Sequence, residues 1–73
     1  MTKLPVVSGR QLVQALEQSG FQFDRQRGSH IMLFRSDPAT TLSVPDHREL
    51  DRGTLRAILR QAGVSPSRLQ ELL

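Results

Sequence analysis

An α+β fold is predicted for this chain, in the order α-β-β-β-α with a short extra helix at the C-terminus. Three observations carry that expectation. Segments with a capping residue in front and a glycine behind stand on both sides of the middle of the chain. Between them lie three short runs rich in apolar and β-branched residues, joined by links too short for a crossover, so the strands form an antiparallel meander. The 73 residues contain no cysteine and no repeat, which suits a single domain over residues 1–73 with one small core. In such a layered arrangement both main helices cover one face of the three-stranded sheet and the other face stays open for a ligand.

Ser8 is placed to cap the first helix, with Gln11 completing a capping box and Val7 positioned to staple against Leu12. Leu12, Ala15 and Leu16 recur at helical spacing, and Gly20 supplies a left-handed stop, which gives a helix over residues 9–19. Phe21 and Phe23 alternate with Gln22 and Asp24, the pattern of a strand buried on one face. With no Trp or Tyr in the chain, both phenylalanines are expected in the core. Arg27-Gly28 turns the chain into a second strand from Ser29 to Arg35, Ser36-Asp37-Pro38-Ala39 makes the next turn, and Thr40 to Val44 is a third strand ended by Pro45. Parity in the second strand does not choose a buried face, because Ile31 and Leu33 alternate with Met32 and Phe34 and both sets are apolar.

After the polar loop Asp46-His47-Arg48-Glu49-Leu50, Asp51 can cap a second helix that runs to about Ala62. Leu55, Ile58, Leu59 and Ala62 define its buried stripe. Gly63 ends it, and Ser65-Pro66 starts the short terminal helix, with proline where its missing donor costs nothing.

The formal net charge is +3, and nine of the ten basic residues are arginine. Five basic side chains against two acidic ones put the whole excess into residues 1–35, while residues 36–73 are neutral. Arginine pairs with phosphate through a planar two-pronged fork, so a polyanionic partner fits this composition. The plainer reading is a solubilising surface. The longest apolar run, Ile31 to Phe34, is far too short for a membrane span, and Met1 to Ser8 has no secretory apolar region. A soluble, cytoplasmic protein is expected, and the absence of cysteine fits a reducing compartment.

Gly28-Ser29-His30 is the most informative stretch. It sets one imidazole beside Arg25 and Arg27 at the start of an apolar strand. An imidazole whose ordinary pKa is about 6.5 suits proton abstraction near neutral pH. The two arginines can clamp phosphate and offset charge that grows on it, Gly28 leaves room for a nucleotide backbone, and Ser29 offers a hydroxyl to a phosphate oxygen. The chemistry that needs this set is metal-independent cleavage of RNA by its own 2′-hydroxyl, leaving a 2′,3′-cyclic phosphate and a 5′-hydroxyl. The competing reading is a surface histidine that touches phosphate or nothing. His47 is a candidate second acid or phosphate contact, or a solvated loop histidine. Arg52, Arg56 and Arg60, four apart, form a basic stripe able to meet RNA phosphates or an acidic partner, or simply solvent. No cofactor is expected, and the spacing of His30, Asp46 and His47 gives no support to a metal site.

Several of these motifs stand together in one order: Ser8-Gly9-Arg10, Gly20-Phe21, Arg25-Gln26-Arg27-Gly28-Ser29-His30, Val44-Pro45, His47, and Gly53-Thr54-Leu55-Arg56-Ala57-Ile58-Leu59-Arg60-Gln61-Ala62-Gly63. In this combination the chain resembles the HicA family of toxin ribonucleases over nearly its whole length. The resemblance implies a double-stranded-RNA-binding-domain-like fold, ribosome-independent cleavage of mRNA, and neutralisation by a HicB antitoxin that covers the active site. His30 matches the family's catalytic histidine, and His47 matches a second histidine common after the third strand. A short acidic connection from His47 to the second helix, with Glu49 and Asp51, departs from the family pattern. The function expected is that of a toxin of a type II toxin–antitoxin system acting as an mRNA interferase. The alternative is a non-catalytic RNA-binding module, in which the same groups hold a backbone by shape. A protein-binding adaptor leaves the local basic excess unexplained.

Overall fold

In the computed structural model, which describes residues 3–73, a capping box starts helix α1 (Gly9–Gln18). The Ser8 hydroxyl accepts from the Gln11 amide at 3.0 Å and the Gln11 side chain accepts from the Ser8 amide at 2.8 Å. The helix ends at Gln18, one residue earlier than the glycine stop suggests, with Ser19 as its C-cap and Gly20 at φ +98°. Two bonds close it: Gly20 N–H to the Glu17 carbonyl at 3.3 Å and Phe21 N–H to the Leu16 carbonyl at 3.1 Å. This paired closure carries the chain into the core at Phe21.

Strands β1 (Gln22–Arg27), β2 (His30–Ser36) and β3 (Ala39–Pro45) form an antiparallel sheet in the order β1-β2-β3. The links are two-residue turns. In the first, Gly28 sits at φ +58° and Ser29 does not follow it, the arrangement of a type II′ hairpin turn. Ile31 pairs with Val44 and Leu33 with Leu42, and all four are buried against the helices. Their neighbours His30, Met32 and Phe34 therefore face the open side. The choice that parity left undecided in β2 is made by β3, where Leu42 and Val44 alternate with Thr41 and Ser43.

Two expectations about the first strand need correction. The strand runs on past the Phe21–Asp24 alternation through Arg25 to Arg27, so Arg27 ends β1 instead of opening the turn, and the two arginines pair with Met32 and His30. Phe23 is 55% exposed, whereas Phe21, which precedes β1, is the buried phenylalanine. The cause is position: β1 is an edge strand with a bulge at Asp24, between the Phe23–Leu33 and Arg25–Met32 pairs. Phe23 shares the helix-facing side with Leu33, but there it lines an open cleft of about 220 Å³ beside Val13 and Gln14 of α1 instead of a closed core.

Helix α2 (Arg52–Ala62) is capped by Asp51, whose carboxylate accepts from the Thr54 amide, and stops at Gly63 with φ +73°. Helix α3 (Pro66–Leu72) starts on Ser65 and buries Leu69. Leu12 and Leu16 of α1, Leu55, Ile58 and Leu59 of α2, and Leu69 close over Ile31, Leu33, Leu42 and Val44 to make one core cluster. Arg35, also on the helix-facing side of β2, lies 4.5 Å from the centre of the Phe21 ring and donates to the Ala62 carbonyl and the Thr40 hydroxyl. One of the arginines behind the basic excess therefore ties the sheet to the end of α2. No helix among the described residues is long and apolar enough to cross a membrane.

Candidate active site on the open sheet face

The two-residue turn sets His30 as the first residue of β2, opposite Arg27 on β1 and Pro45 on β3. Cross-strand partners share a face, so the imidazole and the Arg27 guanidinium lie on the same open side. Together with Met32 and Ser43 they line a shallow depression of about 470 Å³. His30 Nδ1 lies 3.2 Å from Ser43 Oγ. Among the described residues no protein group bonds Nε2, so that nitrogen is available to a ligand in the depression.

A hydrogen-bond network holds the turn from below. The Asp46 amide donates to the Ser29 carbonyl at 2.6 Å. The Asp46 carboxylate accepts from Arg10 at 3.1 and 3.2 Å and from the Gln26 side-chain Nε2 at 3.2 Å, and the same Nε2 also donates to the Gly28 carbonyl at 3.1 Å. The bonds from Arg10 hold the Asp46 carboxyl below its ordinary range, against a smaller opposing effect of desolvation. α1 is docked at the same place. Gly9 N–H donates to the His47 carbonyl at 2.9 Å, and a Cβ at Gly9 would run into the Pro45 carbonyl.

Of the residues singled out in the sequence, His30 and Arg27 are brought together, and Arg25 joins them on the same face one pair further along β1. Gly28 and Ser29 form the turn; Gly28 has open space around it, and its positive φ is itself a reason for glycine there. His47 is exposed in the loop after β3 and does not line the depression; its carbonyl serves the fold by accepting from Gly9. Arg52, Arg56 and Arg60 are exposed on α2, in the helix layer behind the sheet, and are not brought to His30. The set His30, Asp46 and His47 is not assembled as a ligand cluster, since Asp46 is taken up by Arg10 and Gln26.

Sequence reasoning missed Ser43, Met32 and the Arg10–Asp46–Gln26 network. The first two were within reach, since both share a face with His30 once β3's alternation sets the register. The network joins residues far apart in the chain and had no local signature.

No curated protein matches the chain. A family model described as the HicA toxin of bacterial toxin–antitoxin systems matches residues 9–64, from the glycine docked on Pro45 to the residue after the α2 stop. That span holds the whole sheet, the hairpin turn and the depression, and by it the chain belongs to the HicA toxin family.

Proposed function

We propose that this toxin is a metal-independent endoribonuclease that cleaves mRNA with His30 as general base, and that a HicB-type antitoxin silences it by covering the depression. The observation that carries the reading is the His30 ring, fastened at Nδ1 by Ser43 and left free at Nε2 beside the Arg27 guanidinium.

With Nδ1–H donating to Ser43 Oγ, Nε2 holds the lone pair and takes the proton of a ribose 2′-hydroxyl. The 2′-oxygen attacks the adjacent phosphorus and the bond to the 5′-oxygen breaks, leaving a 2′,3′-cyclic phosphate. The departing 5′-oxygen takes a proton from the imidazolium or from solvent. Arg27 and Arg25 face the phosphate and offset the charge that builds on its oxygens in the transition state. The Ser29 hydroxyl and the side-chain-free Gly28 border the same approach. Arg52, Arg56 and Arg60 take no part in this step, and His47 is left as a phosphate contact for a longer substrate.

Purified wild type and His30→Ala, incubated with a defined transcript, test the reading. His30→Ala should cut at least about a hundredfold more slowly, and the wild-type products should end in 2′,3′-cyclic phosphate with or without EDTA. Equal rates for the two proteins would overturn it. If growth arrest on induction needs Arg25 and Arg27 but not His30, the chain is a non-catalytic RNA-binding module.

A further inference from the structure

The open face extends well past His30. Register divides it into three cross-strand rows: Arg27–His30–Pro45, Arg25–Met32–Ser43 and Gln22–Phe34–Thr41. The centre of each row is a β2 side chain, flanked on the β1 side by a guanidinium in the first two rows and on the β3 side by a hydroxyl in the last two. None of the nine residues is acidic. Phe34 is 42% exposed at the centre of the third row, on the middle strand, with no helix over it.

We propose that this strip is a nucleobase-stacking subsite for single-stranded RNA, with Phe34 as the anchor two nucleotides from the phosphate held at His30. The proposal rests on the ribonuclease reading for its register only. Two residues of strand advance about 7 Å, which is the scale of one nucleotide step in an extended single strand. Met32 therefore lies one step from His30 and Phe34 two, at about 13 Å. An aromatic face beside cations is how proteins hold single strands with little sequence preference. Base-paired RNA keeps its base faces stacked inside the helix and cannot offer one to Phe34. A protein segment could also cover a phenylalanine. Two arginines and no carboxylate in the rows favour a polyanion, and the strip is continuous with the His30 depression.

The chain has no Trp or Tyr, so Phe34→Trp introduces a single indole whose fluorescence reports stacking. The experiment uses the full chain carrying His30→Ala, so that RNA stays intact, and a short end-labelled single-stranded oligonucleotide. Titration should quench the indole in a saturable way, and an oligonucleotide abasic at every position should leave it unquenched. By anisotropy, Phe34→Ala and Phe34→Leu should each bind about tenfold more weakly than the parent, since leucine keeps apolar bulk without a ring face. Binding without quenching, equal affinity of the two variants and the parent, no binding at all, or equal quenching by duplex RNA would each overturn the subsite. Cleavage by the His30-intact chain is measured separately. Quenching without cleavage removes the catalytic reading and keeps the subsite, whereas cleavage with no quenching does the reverse.

Discussion

Arg10 and Asp46, 36 positions apart, form a two-pronged ion pair, with Arg10 Nε 3.2 Å from Oδ1 and Nη2 3.1 Å from Oδ2. The same carboxylate reaches Gln26, and Gln26 reaches the Gly28 carbonyl. One acidic group thus connects the first turn of α1 to β1 and to the hairpin that presents His30. The Arg10 side chain is 74% exposed, so solvent screens the pair and its importance lies in where it holds the turn.

Acid should release this tie. The folded-state pKa of Asp46 is lowered, first by the hydrogen bond from Arg10, so its charged form is favoured by folding. That contribution is complete above the unfolded-state value and disappears as pH falls through the lower folded-state value. Urea midpoints of wild type and Asp46→Asn should differ by a constant amount above about pH 5 and converge below about pH 4. A gap that persists in strong acid would show that the charge on Asp46 is not its origin.

Much of the fold is legible where one residue decides one local event. Ser8 with Gln11, Asp51 and Ser65-Pro66 start the three helices, and Gly20 and Gly63 stop the first two, because capping depends only on neighbours. Phe23 shows where such reasoning ends. Its alternation with Gln22 and Asp24 is a true strand pattern, yet whether that strand is an edge and whether a helix covers it are decided by residues elsewhere in the chain. Arg35 is the converse case: a basic side chain counted in the charge excess of residues 1–35 that packs on Phe21 and bonds the end of α2.

Gly9 carries a packing demand that its place at the start of a helix conceals. A methyl group there meets the Pro45 backbone, which the Gly9–His47 bond holds in contact with α1. Gly9→Ala should lower unfolding stability by about 1–3 kcal/mol in urea titration, despite alanine's better helix propensity. Unchanged or raised stability would mean that the loop yields at no cost.

The two arginines of β1 should serve RNA and antitoxin alike. If each meets one phosphate, Arg25→Ala with Arg27→Ala should flatten the slope of log K against log salt for a single strand by about 1.4. Acidic groups of an antitoxin seated in the same phosphate positions would lose the same partners, so its affinity should fall in the double variant as well. The idea of shared positions fails if calorimetry finds either affinity unaltered.

In the proposed reaction Ser43 would act as a positioning residue, since its hydroxyl lies 3.2 Å from Nδ1 of the imidazole and not at the nitrogen that faces the depression. For Nε2 to accept a proton, Nδ1 must carry the hydrogen and give it to Ser43 Oγ, and the 3.2 Å separation permits that bond. Ser43→Ala removes one ordinary hydrogen bond, worth up to about 1.5 kcal/mol, and should slow kcat by up to about tenfold with KM little changed. Ser43→Thr keeps the hydroxyl on a strand that favours β-branched residues and should restore the rate. Nitrogen chemical shifts of the His30 ring give an independent readout, showing the Nδ1–H tautomer in wild type and a mixture in the alanine variant. A wild-type ring protonated at Nε2 instead would mean that Ser43 is the donor, and the nitrogen facing the depression would have no lone pair to offer.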